Sequence, residues 1–373
     1  MLLGALLYTA GSAILYVLPA YLGELSAQLG VSEAQMGSIT AAENIGIALA
    51  SVLSAVWLAR FDRRKIAAMG VLCCVLFNLA AFFSRRFEWL VVTRFLTGVL
   101  GEGILFSLAF SVLASTRNPD RSFGIGLTTV VIFGSVVLGI STYLDRVPYG
   151  TGALLPLAIL PLAIFIALKW MPHVPAPVSG QSAAVAPPTG RLAMLAIAGM
   201  ALWFAAPGAF WTFAESAAVA RKIPTQSISI ALAVGNAAGL LGSVVAAWQM
   251  DRWGRLWPIT IASVLLCLSV LIYGHCTSVV ALAVALSAFN IFWNYATVYE
   301  MALVVALDPA GKAAVGIPAA QVIGFAAGGF IAGLVITGAS YAALPALVAV
   351  LAGGGLLTLV PCLWAIKRRL RQD

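Results

Sequence analysis

Charge is scarce in this sequence. Only 9% of its 373 residues are charged, 21 basic and 13 acidic, where a soluble domain carries about a quarter. So few charges cannot cover a water-soluble globule of this length, which excludes that class together with disordered chains, coiled coils and nucleic-acid binders. Histidine is almost missing: His173 and His275 lie far apart, too little for a His-based metal centre or a Ser-His-Asp triad. The five cysteines (Cys73, Cys74, Cys267, Cys276, Cys362) form no CxxC pair. Most lie in or beside apolar segments, where cysteine behaves as a small hydrophobe, so neither a disulfide framework nor a metal site is expected. No Walker phosphate-binding sequence occurs, so a work cycle would draw on ion gradients and not on ATP.

What the chain has in abundance is apolar length. Apolar residues make up 62% and the mean hydropathy is +1.03. A bilayer core takes about 20 apolar residues per helix. Reading for such runs predicts twelve spans, at about 2–23, 36–58, 66–84, 88–114, 123–143, 151–169, 191–216, 227–249, 257–274, 279–304, 314–337 and 343–366. The first has no separate basic n-region and no clear cleavage site, so it reads as a retained helix and not a signal peptide. The lipid bilayer is therefore a partner, and no room remains for a soluble catalytic domain.

Basic residues set the orientation. An even number of spans puts both termini on one side. The loops and tail of that side hold fifteen Lys and Arg, among them Arg60, Arg63, Arg64, Lys65, Arg252, Arg255 and the tail's Lys367, Arg368 and Arg369. The opposite loops hold five: Arg85, Arg86, Arg146, Arg221 and Lys222. By the positive-inside rule both termini face the cytoplasm of a plasma membrane, as in a bacterial inner membrane. The longest polar stretch, 171–190, is rich in Pro, Ala and Ser and reads as a flexible cytoplasmic linker. It cuts the chain into a six-helix half at 1–170, a second at 191–366, and a basic tail at 367–373.

The halves superpose in sequence with an offset of 192. Arg60-Phe61-Asp62-Arg63 falls on Arg252-Trp253-Gly254-Arg255, Asn44 on Asn236 and Ser51 on Ser243. Duplicated six-helix halves are a mark of secondary transporters. Three segments resemble motifs of the major facilitator superfamily. Ala247-Trp-Gln-Met-Asp251-Arg252-Trp-Gly254-Arg255 is close to that family's G-x-x-x-D-R-x-G-R loop, with Ala for the first Gly. The loop from Ala55 to Lys65 is a degraded copy, with Ala59 at the family's Asp and Asp62 at its later Gly. Arg94-Phe-Leu-Thr-Gly98 is similar to the family's fourth-span R-x-x-x-G. The resemblance implies an all-α integral membrane fold, with two six-helix bundles related by a pseudo-two-fold axis and a substrate site between them at mid-membrane. It also implies gating by Asp62, Arg63, Asp251, Arg252 and Arg255, with the weight on the second copy because the first departs from the pattern.

Ionisable groups at membrane depth are costly and usually functional. Five qualify: Glu43, Arg94, Glu102, Glu215 and Glu300. Glu43 and Arg94 both lie roughly 10 Å below the outer ends of their spans at about 1.5 Å per residue. They are expected to pair, either as a static brace or as part of substrate and proton coupling. Glu102 sits near the middle of its span among Gly98, Gly101 and Gly103, and maps onto Asn294. It is the leading proton-coupling candidate, with Glu43 and Glu300 as auxiliaries. Eight residues, about 12 Å of helix, separate it from Arg94, so no direct pairing is expected. Glu215, at the outer end of the seventh span, reads as a solvated helix end.

Candidate substrate-binding residues lie on the spans that line the cavity in the resembled family: Tyr8, Ser12, Tyr16, Arg94, Trp203, Phe204, Asn290, Trp293, Asn294 and Tyr295. Phe210, Trp211 and Phe213 read as an interfacial aromatic belt. A single buried Arg disfavours a dianionic phosphate substrate, although it could hold a monocarboxylate. Neutral or cationic aromatic compounds suit an acid-rich, aromatic cavity better. The expected function is a secondary transporter, a monomer without cofactor, metal or nucleic acid. It would move a small organic molecule by alternating access with a proton or other cation. A proton-antiporting exporter and a proton–monocarboxylate symporter remain open. Outside transport, a membrane receptor or scaffold remains open; an enzyme is disfavoured for want of a nucleophile–base or metal constellation.

Overall fold

A computed structural model describes residues 1–116, 119–148, 150–170, 190–249, 252, 254–307, 316–338 and 340–369. The chain divides into two compact units, Met1–Val185 and Ala186–Asp373. Asp251 and nearly all of the 171–190 linker lie outside the described residues.

The first unit contains α1 (Leu2–Leu29), α2 (Glu33–Arg60), α3 (Arg63–Phe82), α4 (Phe87–Leu96), α5 (Gly103–Ala114), α6 (Pro119–Leu144) and α7 (Leu154–Ala167). A six-residue π-helical segment, Thr97–Glu102, joins α4 to α5, and a 3₁₀ turn, Leu168–Trp170, ends α7. Leu7, Ala67, Val71, Leu105, Leu108 and Ile164 form a buried core shared by α1, α3, α5 and α7. The second unit contains α8 (Arg191–Trp211), α9 (Ala214–Val219), α10 (Thr225–Gln249), α11 (Leu256–His275), α12 (Val279–Leu307), α13 (Ile317–Val335) and α14 (Leu344–Arg369).

Among the described residues, eleven helical segments have the length and hydropathy to cross a membrane, with α4, the π segment and α5 acting as one span. The expected sixth span is shorter than read: α7 has 14 α-helical residues. The expected seventh span, 191–216, is divided at Thr212 and Phe213 into α8 and α9.

Local chemistry sets several ends. Ser32 and Gln35 form a reciprocal capping box at the start of α2, with N–H···O distances of 3.3 and 2.9 Å. Gly30 ends α1 in the left-handed conformation at φ 62°. Gly254 does the same work in the loop before α11 at φ 64°, which is the tight-turn role expected of that motif glycine.

The first span also runs further than read, to Leu29, which draws Glu24 into the buried interior. Glu24 accepts hydrogen bonds from the backbone N–H groups of Gly152 (2.6 Å) and Ala153 (2.9 Å), and from Gln28 (2.8 Å). Ala153 immediately precedes α7. The carboxylate therefore satisfies donors at a helix start that has no cap of its own. The apolar run ends at residue 23, so hydropathy alone could not place Glu24 inside.

Candidate functional site: a buried arginine shared by two carboxyls

The centre of the first unit is Arg94, near the end of α4 and fully buried. Three helices and the π segment converge on it. Glu43 of α2 forms an ion pair with its guanidinium. Asn78 of α3 accepts from Nη1 at 2.7 Å. The ring of Tyr21 on α1 lies under the guanidinium at 5.5 Å. Glu102, closing the π segment, stands 3.5 Å from Nη2. Asn78 is itself oriented by donating to the Cys74 carbonyl at 2.8 Å.

The Glu102 contact corrects the sequence expectation that Arg94 and Glu102 stand too far apart. The estimate of 12 Å assumed an unbroken α-helix and short side chains. Between Thr97 and Glu102 the backbone winds as π-helix, and the N–H of Gly103 reaches the carbonyl of Gly98. An i→i+5 turn holds more residues per turn than an α turn. The long Arg and Glu side chains close the remaining gap. The glycines make this winding possible by close approach. A Cβ on Gly98 would run into the carbonyl oxygen of Glu43, and one on Gly101 would lie 2.9 Å from the Cα of Cys74.

Charge counting gives the cluster its chemical character. Two carboxyls face one guanidinium. The trio is neutral with one proton bound and carries one uncompensated negative charge without it. In a low-dielectric interior that difference is large, so a proton and the geometry of the trio are linked. Asn78 and Tyr21 were missed by the sequence reading. A polar Asn in an apolar span was the available signal for the former.

The other expected substrate residues divide by exposure. Tyr8, Tyr16, Trp293, Asn294 and Tyr295 are half-buried, whereas Ser12, Trp203, Phe204 and Asn290 are buried within their own unit. Ser12 donates to the Tyr8 carbonyl (2.7 Å) and Trp203 to Ser263 (2.8 Å). Asn290 and Asn294 each donate to the carbonyl four residues back, at 3.0 and 2.9 Å. Tyr295 donates to Gln249 at 2.6 Å.

Trp293 is the hub of an aromatic array, with ring centroids 5.8 Å from Phe289, 5.8 Å from Phe325, 6.4 Å from Trp211 and 6.5 Å from Phe204. This array corrects the interfacial-belt reading of Phe210, Trp211 and Phe213. All three are buried, with Phe210 4.5 Å from Phe289 and Trp211 stacked on the same ring. Glu215 is likewise buried on α9, not solvated. Glu300 is fully buried, and neither carboxyl oxygen has a hydrogen-bond partner among the described residues.

Of the expected gate, Asp62 caps α3 by accepting from the N–H of Arg64 (2.7 Å) and Lys65 (3.3 Å). Arg63 is half-buried and Arg255 directly precedes α11. Arg252 lies over the Trp248 ring at 4.6 Å.

A family model described as Major Facilitator Superfamily matches residues 1–333. The chain belongs to that superfamily. It is a multi-pass membrane protein of that family, with eleven helices among the described residues long and apolar enough to cross a bilayer. It is similar to the gallate transporter of Pseudomonas putida, 28% identical over 176 residues, which is 44% of this chain and 39% of that protein. It is also similar to the 4-hydroxybenzoate transporter PcaK of Pseudomonas putida, 28% identical over 155 residues, covering 40% of this chain and 34% of that one. These alignments span well under half the length of either relative. Two solved structures share the fold: the nucleoside transporter NupG, with TM-score 0.72 and 14% identity over 98% of both chains, and a D-xylose-proton symporter, with TM-score 0.71 and 16% identity over 96% of this chain and 94% of that one.

Proposed function

We propose that this transporter moves a small aromatic carboxylate together with a proton, by alternating access, and that Arg94, Glu43 and Glu102 couple the two. The observation that carries the reading is the trio itself: one fully buried guanidinium between two carboxyls, closed by a π-helical segment. A substrate carboxylate that engaged Arg94 would displace one of the resident carboxyls. The displaced group, left without its cation in a low-dielectric site, would then hold the proton that travels with the substrate. Arg94 is enclosed by its neighbours, so this exchange needs the surrounding helices to part. Glu300 supplies a third buried carboxyl for the proton. The half-buried Tyr8, Tyr16, Trp293, Asn294 and Tyr295 offer aromatic faces and polar edges to a flat substrate. The names of the two Pseudomonas putida relatives, transporters of gallate and of 4-hydroxybenzoate, favour an aromatic acid over the neutral or cationic aromatics that composition alone suggested. The excess of basic residues on one side supports cytoplasmic termini, and on this reading Asp62, Arg63, Asp251, Arg252 and Arg255 would form the cytoplasmic gate.

The test is uptake into proteoliposomes containing the purified chain. Labelled 4-hydroxybenzoate and gallate are compared with a neutral and an amine analogue, with and without an inside-alkaline pH gradient. The reading expects accumulation of an aromatic acid only with the gradient. Accumulation of the amine or neutral analogue alone would overturn the substrate class, and gradient-independent accumulation would overturn the coupling.

A further inference from the structure

The second unit carries a cavity of about 940 Å³ that is separate from the Arg94 trio and from the aromatic array around Trp293. It lies where α9, α11, residues 340–342 and α14 meet, at the end of the unit where α11 finishes and α14 begins. Its long walls are apolar. Val264, Leu268 and Leu271 recur along one face of α11, and the small side chains of Ala346 and Ala349 on α14 leave the space opposite them. The three α11 residues are 59%, 44% and 47% exposed, so the groove opens sideways toward hydrocarbon and not into the bundle.

The polar end is chemically distinct. Arg221 and His275 line it together with Ser340 and Tyr341, and no carboxylate belongs to the lining. The Arg221 guanidinium lies over the Tyr273 ring at 4.5 Å. Its Nε and Nη2 are buried with no hydrogen-bond partner among the described residues. The Tyr273 side chain is hydrogen-bonded to Arg221 and the buried Glu215 carboxyl lies near that ring; the nitrogens left over on this half-buried cation suit an anion. The dimensions narrow the choice. From Val264 to His275 the helix rises roughly 16 Å at about 1.5 Å per residue, close to the depth of one leaflet, half of a core about 30 Å thick. An apolar slot one leaflet deep, open to the bilayer and ending in a cation, matches an acyl chain with an anionic headgroup.

We infer that this groove is a binding site for one anionic phospholipid, its phosphate against Arg221 and His275 and an acyl chain along α11 and α14. A basic side chain near the membrane surface contributes about fivefold in affinity for an anionic lipid. A lipid held there would bridge α9, α11 and α14 and stabilise the second unit by mass action. The inference does not depend on the substrate.

Native mass spectrometry of the full, detergent-solubilised chain tests it, with phosphatidylglycerol and phosphatidylcholine of matched acyl chains added in turn. The wild type is expected to retain one phosphatidylglycerol with about fivefold preference over phosphatidylcholine. Arg221→Gln should erase that preference, and Ala346→Trp, which fills the slot, should remove retention of both lipids. Because Arg221 also rests on Tyr273, Ala346→Trp keeps the test open if Arg221→Gln does not fold. Equal retention of the two lipids by the wild type would overturn the inference. So would unchanged retention and preference in Ala346→Trp.

Discussion

Arg94 is a fully buried cation in the first unit, and its neighbours meet its charge unequally. Glu43 provides the ion pair, Asn78 a hydrogen bond and Glu102 a longer contact. Removing one member of a buried pair leaves an uncompensated charge and costs about 3–5 kcal/mol, while replacing both members can be close to neutral. Arg94→Gln is therefore expected to lower the thermal unfolding temperature sharply in detergent. Glu43→Gln combined with Arg94→Gln should recover most of that loss while abolishing gradient-driven uptake. A double variant as unstable as Arg94→Gln alone would show that the pair is not the main partner. A double variant that still transports would reduce the pair to a brace.

At the scale of elements, the π segment is the feature that assembles the trio, and glycine permits it. Gly98→Ala would drive a methyl group into the carbonyl of Glu43, and overpacking of this kind typically costs about 1–3 kcal/mol. Gly124→Ala on α6, where a Cβ meets nothing within 4 Å, should instead be neutral or gain up to about 1 kcal/mol from helix propensity. Comparing the unfolding temperatures of the two variants checks the claim, and equal shifts would refute it. The Glu24 cap makes a second case. Glu24→Ala leaves the N–H groups of Gly152 and Ala153 unpaired at the start of α7, which should cost about 1–3 kcal/mol, read as a lower unfolding temperature. The sequence carried the spans because bilayer length imposes apolar runs that survive without any tertiary information. It did not carry the π winding, since nothing in Thr-Gly-Val-Leu-Gly-Glu distinguishes π from α winding by local propensity. It did not carry Glu24 either, because partners from 128 residues away satisfy that carboxylate.

At the scale of the whole molecule, the superfamily match spans residues 1–333, and the offset of 192 sets the two halves of the sequence side by side. The duplication is unequal in chemistry. Arg94, Glu43 and Glu102 correspond by that offset to Leu286, Gly235 and Asn294, so the ionic trio belongs to the first half. In the second half, the aromatic packing centres on Trp293, the residue before Asn294. Hydropathy reads Phe210, Trp211 and Phe213 as a belt because they lie near a span end. Their burial comes from rings distant in sequence, Phe289 for Phe210 and Trp211 and Tyr341 for Phe213, which hydropathy does not show. On the reading proposed above, Arg94 in the first half would take the substrate's carboxylate while the aromatic array of the second half would face its ring. The most direct test is Glu102→Gln in proteoliposomes loaded with an aromatic acid, with gradient-driven uptake and substrate exchange measured on the same preparation. The account predicts that accumulation under a pH gradient is lost while exchange persists. Accumulation at the wild-type level would contradict it.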